Sequence, residues 1–126
     1  MKKKLFFWFV IAILSANCYA QFSKTHYIPP LSGSSSVISE DQYLYISTPN
    51  VNPINFRIIE LGGNTITGTV SRSNPFVYYV GFGNDTQLHI DSSSSNIAFS
   101  NKGYIVEADD LIYVSAGRFV CKPESA

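Results

Sequence analysis

NKGYIVEADDLIYVS, residues 101–115, is the stretch that decides the fold class of this protein. Apolar and polar side chains alternate on both sides of Asp109 and Asp110, and a period of two is typical of a half-buried β-strand. The two short acidic side chains tolerate turn geometry, so the pattern predicts a β-hairpin that turns at this pair. Because an isolated hairpin is marginal in water, we expect other strands to cover its apolar face.

Several segments upstream show the same kind of pattern. They are 24–28, 42–48, 54–61, 65–71, 76–80 and 87–90. Glycine, proline, asparagine and serine separate them, and no segment beyond residue 20 has helical periodicity over a helical length. Short strands at such spacings are typical of sandwiches and barrels. We therefore predict an all-β fold, a single antiparallel β-sandwich-like domain, with residues 101–115 near its centre. FVYYV, residues 76–80, is apolar on both faces and is expected to be a central strand.

The N-terminus has the pattern of a secretory signal peptide. Residues 2–4 are lysines, residues 5–14 form an unbroken apolar run, and small side chains follow at Cys18 and Ala20. This pattern predicts cleavage after Ala20, which leaves a mature chain beginning at Gln21. Two alternatives remain open, an uncleaved membrane anchor and lipidation of Cys18.

The predicted organisation is a signal peptide at 1–20, a β-sandwich-like domain at 21–118 and a disordered tail at 119–126. Cleavage would remove three lysines, so the nine basic and nine acidic residues become six and nine, a net charge of −3. The remaining basic residues are scattered, whereas a nucleic-acid-binding protein shows a basic stripe. We therefore expect no nucleic-acid partner and no stable membrane span after cleavage. Cys121 would be the lone cysteine, either an inert thiol or paired between chains.

No motif for nucleotide binding, a structural metal or an activated nucleophile is visible, so we predict no cofactor and no catalytic residue. His26 and His89 have no ligand context and are expected to be ordinary strand residues. The acidic cluster of Glu107, Asp109 and Asp110 leaves two alternatives open. One is a carboxylate-dependent hydrolase using Glu107 and Asp110, and the other is a calcium site. Solvated carboxylates at a turn are the simpler interpretation.

Tyrosines carry the binding hypothesis. Tyr43, Tyr45 and Tyr79 project from strand faces opposite the apolar ones. Exposed tyrosines bury a large area at low entropic cost, so they are candidate contacts for sugar or protein. The alternative is that they pack between two sheets or in cross-strand pairs.

Five short motifs carry a resemblance to a known family. They are HYIPPL at 26–31, QYLYISTP at 42–49, SNP at 73–75, GFGN at 81–84 and the stretch at 101–115. Together they resemble the N-terminal region of secreted Bacteroidetes surface proteins that are similar to the immunoglobulin-Fc-binding-protein N-terminal domain. Many of those proteins carry a gliding-motility or type IX sorting domain at the C-terminus. The resemblance implies an extracellular, β-rich binding or adhesion module without a catalytic residue.

Family members continue for hundreds of residues, so the resemblance also implies that this chain is a truncated member. The functional expectation is a non-catalytic binding module from the N-terminal part of a larger cell-surface protein, with an extracellular protein or glycan as partner. The alternative is a structural segment without its own ligand. The expected location is the cell surface, or the periplasm if the sorting C-terminus is absent.

Truncation has a structural consequence that can be checked. The missing strands would normally help to cover Tyr104, Ile112 and Val114. We therefore expect those side chains to be incompletely covered, next to an open strand edge that invites pairing between chains. Self-association through that edge, or through Cys121, is the corresponding partner prediction.

Overall fold

The computed structural model describes residues 2–4 and 22–120, the side chains of 118–120 excepted. The all-β fold predicted from the alternating segments is confirmed. The strands are β1 Ser23–Ile28, β2 Leu31–Gly33, β3 Ser39–Ser47, β4 Ile54–Glu60, β5 Thr65–Val70, β6 Phe76–Gly81, β7 His89–Asp91 and β8 Tyr104–Val120. A 3-10 helix at Ser92–Ser94 follows β7, and residues 2–4 are helical.

The stretch at 101–115 does not form a hairpin, so that prediction was wrong. Residues 104–120 are one continuous strand, β8, which runs straight through Asp109 and Asp110. The first half of β8 pairs with β1 and β4, and the second half pairs with β3. These neighbours supply the backbone hydrogen bonds that the two halves would otherwise have supplied to each other. The predicted central position of the stretch is correct, because three strands pair with β8.

The main sheet has the strand order β5-β4-β8-β3-β6, with β1 also paired to β8. Although β5 and β6 lie at opposite ends of this path, only residues 71–75 connect them. Ser71 and Asn74 exchange backbone hydrogen bonds of 3.2 and 3.1 Å, so the connection is a tight turn. The outer strands of a flat five-stranded sheet would lie roughly 19 Å apart. The sheet must therefore curl until its two edges meet at this turn. Sandwich packing stays a prediction.

Two expectations about position are corrected by the pairing. FVYYV was expected to be central, but β6 lies at one end of the strand order, with Val77 and Tyr79 half exposed. No strand was predicted between residues 28 and 42, but Leu31–Gly33 forms β2, which pairs in parallel with β7, and β3 begins at Ser39; only residues 34–38 between them lie outside a strand. In each case the local pattern does not reveal which strand will lie alongside.

The core lies on the concave side of the curled sheet and follows the predicted alternation. Its fully buried members come from β3, β4, β8 and the chain around them: Leu44, Ile46, Phe56, Ile58, Val70, Leu88, Tyr104, Val106, Ile112 and Val114. The ring of Phe56 lies 4.7 Å from that of Phe76, between centroids. Tyr104, Ile112 and Val114 are exposed by only 2%, 0% and 8%. The expectation that they would be incompletely covered was therefore wrong, because the strands of this chain bury them.

A buried polar network ties the β6–β7 connection to the start of β3. The Gln42 side chain, fully buried, donates to the carbonyl oxygen of Gly83 at 2.7 Å and accepts from the Thr86 hydroxyl at 2.6 Å. The backbone amide of Ser39 donates to the Asn84 side chain at 2.9 Å. His89 is also buried here, with Nδ1 3.4 Å from the Ser39 hydroxyl. This end of β3 is thus firmly positioned.

Some predictions fall on parts of the chain outside the described residues. These are the signal peptide from residue 5 onward, cleavage after Ala20, and the state of Cys121. β8 extends to Val120, two residues into the segment predicted as a tail. In the described part of the chain, no helix is long and apolar enough to cross a membrane.

Candidate functional site

The three tyrosines predicted as ligand contacts come together on one face of the sheet. Tyr43 and Tyr45 are two residues apart on β3, so their side chains leave the same face. Tyr79 on β6 lies directly opposite Tyr43. Ring centroids are 5.3 Å apart for Tyr43 and Tyr79 and 6.0 Å for Tyr43 and Tyr45. We call these three side chains the tyrosine platform.

The platform is accessible and is not packed under a second layer. Tyr45 is 39% exposed and Tyr79 50% exposed, with Tyr43 half-buried between them. The face opposite theirs carries Leu44 and Ile46, which are fully buried. The cross-strand pair of Tyr43 and Tyr79 confirms part of the alternative interpretation, since the rings support each other as well as facing solvent.

Asp41 sits at one end of the platform. The hydroxyl of Tyr79 donates to Oδ1 of Asp41 at 3.0 Å. This hydrogen bond, with the negative charge behind it, raises the pKa of the Tyr79 phenol above its ordinary value. The phenol therefore stays neutral at physiological pH. A carboxylate accepts about four hydrogen bonds, so Asp41 retains acceptor capacity toward solvent.

Gly117 on β8 makes room for Tyr45. A Cβ at position 117 would lie 2.9 Å from Cε2 of the Tyr45 ring, which is closer than carbon atoms approach without displacement. The register places Gly117 opposite Tyr43 and Ser115 opposite Tyr45. Tyr45 therefore leans diagonally across β8 into the space over the glycine.

Neither Asp41 nor Gly117 was predicted from the sequence. The role of Gly117 could have been suspected, because a glycine within an extended segment often marks a close approach by another group. Asp41 lies just before the predicted strand at 42–48, so no strand position was assigned to it.

The outward side of β6, of β3 from Asp41 onward and of the second half of β8 carries little charge. Its positions are Val77 and Tyr79 on β6, Asp41, Tyr43, Tyr45 and Ser47 on β3, and Tyr113, Ser115 and Gly117 on β8. Asp41 is the only acidic residue among them, and none is basic. Phe22 packs against Tyr113 farther along, with ring centroids 6.3 Å apart. The face is therefore aromatic and hydroxyl-rich, with a single negative charge.

A concave feature separate from the tyrosine platform lies on the outer side of β5, β4 and β8. It is an open groove of about 650 Å³ whose lining includes Asn55, Arg57, Thr67, Thr69 and Glu107. Arg57 donates through Nε at 2.7 Å and Nη2 at 2.5 Å to the same carboxylate oxygen of Glu107. The charges of Arg57 and Glu107 are thus paired with each other, and Asp109, which also lines the groove, accepts a hydrogen bond from Asn55.

The acidic pair at the middle of β8 is held by asparagines. Asn50 donates to Oδ2 of Asp110 at 2.8 Å, and Asn55 donates to Oδ2 of Asp109 at 3.1 Å. The backbone amide of Leu111 donates to the other oxygen of Asp110 at 2.8 Å. The hydrogen bond from Asn50, then that from Leu111, lowers the pKa of Asp110. Pairing of β8 with β4 ends at Ala108 and pairing with β3 begins at Tyr113, so Asp109 and Asp110 lie at the point where β8 changes partner.

This arrangement predicts a specific acid dependence of stability. Because the folded-state pKa of Asp110 lies below its ordinary 3.8, its ionised form stabilises the fold above that value. The contribution is lost as the pH falls through the folded pKa. Asp110→Asn should lower the melting temperature near neutral pH, and the melting temperatures of the two proteins should converge as the pH falls through the folded pKa of Asp110. Asp85→Asn, at an exposed acidic residue of the β6–β7 connection, is the control. If the difference in melting temperature between wild type and Asp110→Asn stays constant as the pH falls, the acid dependence does not come from Asp110.

The histidines and acidic residues do not assemble into a metal site in the described part of the chain, where no group of three potential ligands is close enough to hold an ion. Nε2 of His26 lies 2.8 Å from the carbonyl oxygen of Ile112, and His89 is buried beside Ser39. Both histidines lie on strands, as predicted, and bond within the fold.

Comparisons with known proteins add no relative. The chain matches no family model, and searches of curated proteins and of solved structures returned no match. The resemblance to secreted Bacteroidetes surface proteins therefore stays a prediction.

Proposed function

We propose that this protein is a non-catalytic extracellular binding module whose contact surface is the tyrosine platform. The observation that carries the proposal is the convergence of Tyr43, Tyr45 and Tyr79 from two strands into one exposed row. Exposed tyrosines bind with a large contact area and a small loss of side-chain freedom. Support from the buried network below Asp41 keeps the row positioned before a ligand arrives, which reduces the cost of binding.

The environment of the carboxylates supports a non-catalytic role. A glycosidase needs a carboxylic acid whose pKa is raised, so that it can donate a proton near neutral pH. The pKa of Asp110 is lowered instead, and Glu107 is engaged by Arg57. These residues favour a structural function at the middle of β8 over acid–base chemistry.

The proposed location follows from the sequence. The signal-peptide pattern of residues 1–20 favours export, and the resemblance to secreted surface proteins favours a position outside the cell. There the platform would meet extracellular proteins and glycans. The predicted self-association through a strand edge or Cys121 is a separate proposal about the same exported chain.

Binding to an array of glycans and extracellular-matrix proteins tests the proposed function. We expect the mature chain, residues 21–126, to bind reproducibly. The double variant Tyr43→Ala with Tyr45→Ala should lose at least about tenfold in affinity, because it removes two of the three contact rings. Tyr27→Ala is the matched control, since Tyr27 is a 74% exposed tyrosine on β1 outside the platform.

Melting curves of all variants should accompany the array, so that loss of binding is separated from loss of folding. A blank array would reject a ligand-binding role and favour a structural segment of a surface protein. Binding that survives the double variant unchanged would place the contact surface elsewhere.

A further inference from the structure

We propose that the ligand of the tyrosine platform is a neutral carbohydrate chain, an inference that rests on the function proposed above. The platform combines aromatic rings with hydroxyl and carboxylate groups at its margins. Sugars can contact both kinds of group. Their C–H faces pack on aromatic rings, and their hydroxyl groups form hydrogen bonds with hydroxyl and carboxylate groups. Charge, area and ring placement each favour this class of ligand.

The charge of the face argues against anionic ligands. Among the outward positions of β6, of β3 and of the second half of β8 named above, Asp41 carries the only charge. An anionic polymer binds through arginine and lysine, and those positions hold neither. A neutral sugar hydroxyl can instead donate to the remaining lone pairs of Asp41. The hydroxyls of Ser47 and Ser115 flank Tyr45 and offer further donors and acceptors.

The size of the platform argues against a protein partner. A tyrosine side chain offers about 150–250 Å² of surface. With Tyr45 39% exposed, Tyr79 50% exposed and Tyr43 partly covered, the three rings offer on the order of 250 Å². A standard protein–protein interface takes about 800 Å² from each partner. The platform is therefore small for a protein and adequate for a few sugar residues.

The placement of the rings suits an extended chain. Tyr43 and Tyr45 follow one another along β3 with an angle of 34° between their planes, so adjacent rings present similarly oriented faces. Tyr79 continues the row across to β6. Gly117 lets Tyr45 lean over β8, which widens the row beyond the width of one strand. A linear carbohydrate could contact successive rings with successive sugar residues.

Affinity electrophoresis of the mature chain tests the inference. Native gels contain one polymer at a time: hydroxyethylcellulose, xylan, β-1,3-glucan or galactomannan as neutral polymers, and alginate or heparin as anionic ones. We expect at least one neutral polymer to retard the protein and neither anionic polymer to do so. Tyr45→Ala should weaken that binding about tenfold.

Gly117→Val tests the geometry without removing any tyrosine. Its side chain should displace the Tyr45 ring and weaken binding to the same polymer by about tenfold. Ala116→Val is the matched control, because Ala116 is the exposed neighbour on the opposite face of β8 and should bind like wild type. If Gly117→Val does not fold, Gly117→Ala takes its place, since the first added carbon already meets the ring.

The outcomes separate this inference from the proposed function. Platform-dependent binding to a matrix protein, with no retardation by any neutral polymer, would overturn the carbohydrate inference and leave the binding module standing. Retardation by a neutral polymer that is unchanged in Tyr45→Ala and Gly117→Val would overturn the platform as the sugar site. Retardation by alginate or heparin alone would overturn the argument from charge.

Discussion

Replacing Gly103 with alanine is expected to destabilise the fold by about 3 kcal/mol or more, because two costs add. Gly103 has φ of +94°, a conformation that residues with a side chain rarely adopt. A Cβ there would also lie 2.5 Å from the carbonyl oxygen of Ile28, a backbone atom that cannot swing away. Relief of that contact requires β1 to separate from β8 where Ile28 faces Tyr104.

A backbone shift at Gly103 would also disturb neighbouring segments, because both of its backbone polar groups form hydrogen bonds. Its amide donates to the carbonyl oxygen of Gln87 at 2.9 Å, and its own carbonyl oxygen accepts from the Leu61 amide at 3.2 Å. A shift at Gly103 therefore disturbs β1, the β4–β5 turn and the segment before β7 together. Thermal unfolding of the mature chain should show a melting temperature lowered by more than about 12 °C.

Gly83→Ala is the matched control for that experiment. Gly83 has φ of +90°, but nothing lies within 4 Å of the position that a Cβ would occupy. Its substitution should cost only the backbone penalty, about 1–2 kcal/mol. Equal losses in the two variants would show that the contact with Ile28 contributes nothing, and the account of Gly103 would be wrong.

Ile58→Ala is the second substitution with a large expected effect. Ile58 is fully buried on β4 and faces Val106 on β8 and Ile66 on β5. Truncation removes three carbons from the centre of the core and leaves a cavity, so we expect a loss of about 2–5 kcal/mol. Urea unfolding of the mature chain measures it, with an unchanged slope showing that the cooperative unit is the same.

Ile59→Ala separates the effect of burial from that of residue type. Ile59 is the next residue of β4, leaves the opposite face and is half-buried between Ile105 and Thr65. Its truncation should cost about 1 kcal/mol. A loss as large as that of Ile58→Ala would mean that a second layer covers the outer face of β4.

Gly103→Ala and Ile58→Ala should not change ligand binding by the tyrosine platform in the molecules that remain folded. Gly103 and Ile58 belong to the half of the sheet around β1, β4 and β8, whereas the platform lies on β3 and β6. Binding at a temperature well below the melting transition should therefore be close to wild type for Ile58→Ala. This gives a further check that loss of stability is distinguishable from loss of the contact surface.

The sequence by itself determined which side of β3 and of β4 is buried. Leu44 and Ile46 on β3, and Ile58 on β4, are inward as the alternation predicts, and the tyrosines of β3 leave the opposite face. This succeeds because the period of two is a property of the extended backbone itself. A side chain leaves a known face whatever strand lies alongside.

Only the tertiary structure decided which strands lie alongside one another. Asp109 and Asp110 satisfy local preferences for a turn, yet they continue β8, because β1, β4 and β3 provide partners along its length. The apolar strand β6 lies at an end of the sheet for the same reason. Backbone amides and carbonyls are alike in every residue except proline, so their pairing carries little sequence signal.

The difference between local alternation and strand pairing also explains which residues of the candidate site were predicted from the sequence and which were not. The direction of Tyr43, Tyr45 and Tyr79 follows from local alternation, so they could be proposed from the sequence. Their meeting in one row, and the roles of Asp41 and Gly117, depend on β3 lying between β6 and β8. That neighbourhood joins segments more than thirty residues apart in the chain and exists only once these strands have paired.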